Sequence, residues 1–156
     1  MSSQFARRAA ISGTALAALL SGACKNSSSV TTPSQPAAIA PSNSSNDQLG
    51  TAGKILARPA EVLVTDADGN PVPRTIVTWT VAPGSGVITG SNDTTTFATT
   101  TTTTTDTYGV TAVIWELGPT PGTDAITATT AAGSTTTFNA TARAATSASQ
   151  VRQKQQ

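Results

Sequence analysis

The chain has no histidine and a single cysteine, Cys24. These two scarcities exclude more chemistry than any motif supplies. Without imidazole there is no Ser-His-Asp triad and no histidine to act as general acid or base. Without a second thiol there is no internal disulfide, and zinc, copper and haem sites lose their usual ligands. Aromatic residues make up 4% of the chain and charged residues 11%. Beyond residue 23, seven basic residues stand against eight acidic ones. So nearly neutral a surface has no basic face to neutralise phosphates, which excludes nucleic acid as a partner. Neither a P-loop nor a dinucleotide-binding glycine pattern occurs. The eight acids show no spacing that points to a hydrolytic pair. The chain reads as a non-enzyme with no cofactor, no metal and no small-molecule substrate.

What is present begins at the N-terminus. Arg7 and Arg8 precede an uncharged, Ala/Leu-rich run over residues 9–20, and Ser21, Gly22 and Ala23 follow as small residues. This is the three-part layout of an export signal. The apolar run is too short to cross a hydrocarbon core of ~30 Å as a helix. The segment before Cys24 resembles the cleavage site of a bacterial lipoprotein. Residues 1–23 are therefore expected to be a lipoprotein signal peptide. Cys24 would become the new N-terminus and the lipid (palmitate) attachment point. The location expected is the bacterial cell envelope, with the protein anchored by its lipid and its domain in the periplasm or at the cell surface. Lys25 in place of an aspartate favours the outer membrane in a two-membrane cell. Arg7-Arg8 also resembles a twin-arginine signal, so both export routes stay open.

Residues 24–36 are rich in Ser, Thr and Pro, without apolar periodicity, and read as a flexible tether. Strand patterns begin beyond them. Val77, Trp79 and Val81 alternate with Thr78 and Thr80, which puts the apolar three on one face. Thr111, Val113, Trp115 and Leu117 line one face of a second strand. Ile126 with Ala128, and Phe138 with Ala140, mark two more. Turn chemistry separates them at Asp66-Ala67-Asp68-Gly69-Asn70-Pro71, Pro83-Gly84-Ser85-Gly86 and Gly118-Pro119-Thr120-Pro121-Gly122. No segment after Cys24 has helical periodicity. The pattern predicts an all-β, single-domain sandwich over residues 37–144, with both tryptophans in its core, and a disordered tail over 145–156.

Three stretches carry a family likeness: Val64-Thr65-Asp66-Ala67-Asp68-Gly69-Asn70-Pro71-Val72, Val77-Thr78-Trp79-Thr80-Val81 and Trp115-Glu116-Leu117-Gly118-Pro119-Thr120-Pro121-Gly122-Thr123. With Gln48–Gly53 ahead of them, they resemble the group 1 bacterial Ig-like domains, the repeats of invasin and intimin. The resemblance implies an immunoglobulin-like sandwich used as a spacer or adhesion module. It departs from the large adhesins in having one copy, and a lipid signal where they have a membrane barrel. The function expected is a non-catalytic structural, adhesion or protein-interaction role, with an unidentified protein or surface glycan as partner. The alternative is a carbohydrate-binding module. Such modules use exposed aromatic platforms, whereas both tryptophans here face inward.

Two segments invite sharper readings. Asp66, Asp68 and Asn70 open like an EF-hand loop, but Pro71 and Val77 occupy the positions that need Gly and Glu. A turn is expected there, with Gly69 and Asn70 in unusual backbone conformations. The region Thr94–Thr105 contains seven consecutive threonines, residues 99–105. Branched threonine suits a strand. A uniform run, however, does not distinguish its two faces, so an edge strand with slippery register is expected. Binding of a glycan or an ice-like water lattice would need ranks of threonine across several strands, and the sequence displays only one run.

Overall fold

The computed structural model describes residues 34–42, 44–93 and 95–145. Cys24, the signal segment, most of the tether and residues 146–156 lie outside them. The described residues form nine strands and no helix. They are β1 (Ala38–Pro41), β2 (Gln48–Thr51), β3 (Ala60–Thr65), β4 (Ile76–Val81), β5 (Val87–Gly90), β6 (Thr100–Thr104), β7 (Val110–Glu116), β8 (Gly122–Thr130) and β9 (Thr135–Arg143).

One sheet has the order β1-β3-β7-β5 and the other β2-β9-β8-β4-β6. All ladders are antiparallel except that of β2 with β9. The first sheet has the A-B-E-D order of an immunoglobulin domain. The G, F and C strands of the second are β9, β8 and β4. The fold is an immunoglobulin-like sandwich with an extra edge strand on each side of its second sheet. A buried tryptophan on strand C, here Trp79, is a hallmark of that fold.

The period-two residues meet between the sheets. Val77, Trp79, Val113, Ile126, Ala128 and Phe138 are fully buried, and Trp115 and Leu117 nearly so. Trp79 and Phe138 pack with ring centroids 5.8 Å apart and planes tilted by 35°. Each tryptophan withdraws on the order of 200 Å² from water, a driving force of about 5 kcal/mol at ~25 cal/mol per Å². This core works without disulfides because its polar atoms are also matched. Trp115 Nε1–H donates to the Ser85 carbonyl at 2.8 Å, and Ser85 Oγ accepts the Ala125 amide at 3.0 Å. The buried Asp124 carboxylate accepts the Gly118 amide at 2.9 Å. Among the described residues no buried side-chain nitrogen or oxygen lacks a partner.

The chain changes sheets between β5 and β6. Ile88 and Ala98 exchange both backbone hydrogen bonds, at 2.8 and 2.9 Å, at the edge of the first sheet. One residue later Thr99 O accepts the Val81 amide at 2.8 Å, and the chain continues as β6 beside β4. The first threonines are not part of that strand. Thr95 and Thr96 donate backbone amides to Asp93 Oδ1, which closes the loop before it.

Gly86, in the turn before β5, lies against the end of β7. Its φ is 92°, and a Cβ there would lie 1.9 Å from the Glu116 carbonyl oxygen. Gly53 has a similar φ of 67° with nothing within 4 Å of the same atom. Gly53→Ala is expected to cost roughly the 1–2 kcal/mol of a left-handed side chain. Gly86→Ala should cost clearly more, because backbone must also move. Urea unfolding followed by tryptophan emission measures both, and equal midpoints for the two variants would refute the steric argument.

Candidate functional site: the outer face of the five-stranded sheet

Burying one face of β4, β6, β8 and β9 exposes the other, and threonine is the commonest residue at the outward alternate positions, beside Ile76 on β4, Ala125 on β8, and Asn139 and Arg143 on β9. Thr102 on β6 pairs with Thr78 on β4, Thr78 with Thr129 on β8, and Thr129 with Thr135 on β9. Two residues along the strands, Thr100, Thr80, Thr127 and Thr137 align in the same way. The register thus assembles two ranks of four threonines from four T-x-T segments. The intervening residues Trp79, Thr101, Ala128 and Thr136 point to the inner side. Thr127 and Thr137 hydroxyl oxygens lie 3.5 Å apart. The other six rank hydroxyls have no hydrogen-bond partner among the described residues.

The register of β6 decides which of its threonines join the ranks, and its inward threonines make two sets of contacts. Trp79 Nε1–H donates to Thr103 Oγ1 at 2.8 Å. At the end of the run, Thr105 Oγ1 accepts the Thr75 amide and donates to the Val72 carbonyl, both at 2.8 Å. Shifting the strand by one residue would bring Thr102 or Thr104 to the same indole N–H, so the run's own side chains do not choose the register. Its non-threonine flanks do: Ala98 is paired with Ile88, and the Asp106 amide donates to the Val110 carbonyl at 2.9 Å. The edge position expected from sequence is observed, but the slippery register is not.

The acids serve the turns. Asp66 Oδ1 accepts the amides of Asp68 and Asn70 at 3.0 and 2.8 Å, and Oδ2 accepts the Ser34 hydroxyl. Asp106 repeats the arrangement with the amides of Tyr108 and Val110 at 2.8 and 3.0 Å. In both turns the glycine three residues on has positive φ, 83° at Gly69 and 72° at Gly109. Asn70 does not share it: its amide and side chain bond to Asp66, so only Gly69 adopts the left-handed conformation. Among the described residues no three His, Cys, Asp or Glu groups are placed to hold a metal ion. Both tryptophans are buried, so neither offers a stacking platform.

Hydrogen bonds, the Ser34 hydroxyl foremost and then the Asn70 amide, hold the Asp66 carboxyl below its ordinary 3.8. The Thr95 hydroxyl, followed by its amide, does the same for Asp93.

No family model matches the chain, and no curated protein matches it. Among solved structures the chain is similar to the adhesin InvE of Yersinia pseudotuberculosis, with 16% identity and a TM-score of 0.49. The similarity covers 67% of this chain and 31% of that one, so the chain spans less than a third of that adhesin's length.

Two outcomes follow from this geometry. Thr103→Val leaves the buried indole N–H unpaired and should destabilise by about 1–3 kcal/mol. Thr101→Val, also inward but without a hydrogen-bond partner, should be neutral or stabilising. Chemical denaturation decides, and equal losses at both positions would contradict the pinned register. Both depressed carboxyls bind protons less readily folded than unfolded. Their stabilisation is therefore complete above the unfolded value of 3.8 and is lost as pH falls through the lower folded values. Asp66→Asn and Asp93→Asn should each flatten the acid limb of the stability–pH curve below pH 3.8. An unchanged limb in the double variant would refute the assignment.

Proposed function

We propose that this chain is a bacterial envelope protein, anchored through a lipid on Cys24, whose single immunoglobulin-like domain has a non-catalytic interaction or spacing role. The observation that carries the reading is how the polar groups are used. Asp66, Asp93, Asp106 and Asp124 each hold backbone amides of turns. The indole N–H groups and the inward Thr103 and Ser85 close the core. The functional groups left unpartnered together are the threonine hydroxyls on the outer sheet face, which suit contact better than bond-making. Adhesion and protein contact both fall within this role. The carbohydrate-binding alternative is weaker, because the face lacks an aromatic platform.

The anchor rests on the signal-like segment ahead of Cys24 and is tested directly. Cells fed labelled palmitate should incorporate label into the full chain, and Cys24→Ala should abolish it and release the protein from the membrane fraction. Label retained in the variant, or absent from the parent chain, would contradict the anchor.

A further inference from the structure

We propose that the two threonine ranks form a binding face for an ordered water lattice, the surface of ice. The inference deepens the interaction role proposed above and uses the same face.

The occupant follows from the chemistry of the face. Among its strand positions there is no carboxylate, and the one charged side chain, Arg143, sits at the end of β9, outside both ranks. Within the two ranks the surface is neutral and built of threonine, with the exposed Ile76 and Asn139 outside them; it matches a neutral partner, and a hydroxyl both donates and accepts, as each water of a lattice does. Ionised carboxylates only accept and ammonium groups only donate, so a charged face would order water one way only. A polysaccharide would be expected to meet stacking rings, and the face has none.

Geometry then favours a periodic partner over an irregular one. Neighbours within a rank are spaced by roughly 4.5–5.5 Å between Cβ atoms. The two ranks are separated by about 6.7 Å, two residues of strand rise. These repeats are close to the two oxygen repeats on the prism face of hexagonal ice. Branching at Cβ restricts χ1, so the hydroxyls and the methyls between them are held in place before contact. Little side-chain freedom remains to be lost on binding. Six of the eight hydroxyls have no partner among the described residues, which leaves them available to lattice water.

Sheet twist limits the area. Adjacent strands rotate by roughly 20–25° relative to one another. Thr78 and Thr80 with Thr129 and Thr127 define the central plane, and the outer columns on β6 and β9 turn away from it. The expected activity is therefore adsorption to ice and inhibition of recrystallisation, with little depression of the freezing point.

The test grows ice slowly from a solution of the full chain and measures its partition between ice and liquid, with recrystallisation of a frozen film as a second readout. The chain should enter the ice and keep its grains small. Thr78→Lys with Thr129→Lys places two long charges on the centre of the face and should reduce incorporation at least tenfold. Thr78→Val with Thr129→Val removes hydroxyls while keeping strand-favouring shape, and should also lower incorporation. Asn92→Lys, in the exposed loop after β5, should match the parent chain. Tryptophan emission and circular dichroism confirm that each variant is folded.

Exclusion of the folded parent chain from ice would overturn the proposal. So would equal incorporation of the threonine variants. Retention on insoluble glucan or chitin that the threonine variants lose, without entry into ice, would overturn it in favour of a glycan. Concentration-dependent dimerisation abolished by the same variants, again without entry into ice, would assign the face to a second copy. Palmitate labelling reads the anchor separately, so either claim can fail while the other stands.

Discussion

The hydrogen bond from Trp79 to Thr103 joins the core to the one strand that the hydrophobic pattern leaves undefined. On β4, β8 and β9, alternation of apolar and polar residues selects the inner face. On β6 every residue is threonine, and burial of a methyl group is nearly the same in either register. The indole N–H needs an inward threonine at one level of the sheet, because a buried donor left unpaired costs about 1–3 kcal/mol, but any residue of the run could supply it. The flanks break the degeneracy: Ala98 exchanges both backbone hydrogen bonds with Ile88 ahead of the run, and the Asp106 amide donates to the Val110 carbonyl after it. Thr105, buried at the end of the run, is then bonded to both Thr75 and Val72.

With that register set, the outer face is determined. Thr103 inward means Thr100 and Thr102 outward, opposite Thr80 and Thr78. The remaining two columns follow from the β4–β8 and β8–β9 ladders. The fixed flanks of the run thereby arrange a surface. The acids do not interrupt that surface: Glu61 and Glu116 lie on the other sheet, Asp124 is buried, and Asp66, Asp93 and Asp106 are held in turns. Asp66 and Asp106 each close a turn by gathering two downstream amides around one carboxylate oxygen. The Gly109 carbonyl accepts the Val64 amide at 2.9 Å, which ties the second of these turns to β3 just ahead of the first. The sandwich is rigid where its polar atoms are matched, and its unmatched hydroxyls face outward together.

Much of this could be read from the chain. The inward sets Val77/Trp79/Val81 and Val113/Trp115/Leu117 are written in period two, and both tryptophans are buried as that pattern requires. The Asp66 turn follows from its residue types. The short strands β1 and β2 are harder to read, because four residues carry little periodicity, and β2 is held by a parallel ladder to the distant β9. The threonine face was only half legible. Each T-x-T segment is visible in the sequence, at Thr78/Thr80, Thr127/Thr129 and Thr135/Thr137, as is the long run. Their alignment depends on cross-strand register across several loops, which no local pattern encodes. Asn70 shows a similar limit: its residue type permits a left-handed backbone, but Asp66 already bonds both its amide and its side chain.

The central claim is that the seven-threonine run adopts one register, set by the residues that flank it. Residue-resolved amide hydrogen exchange on β6 tests it most directly. Val81 bonding to Thr99 and Thr105 bonding to Thr75 place the odd-numbered residues of the run against β4. Antiparallel alternation then turns the amides of Thr100, Thr102 and Thr104 to the open edge. Slow exchange at Thr101, Thr103 and Thr105 with fast exchange at Thr100, Thr102 and Thr104 is the result this account requires. Reversed protection, or the same intermediate rate at all six amides, would show a shifted or sliding strand and would contradict the single register.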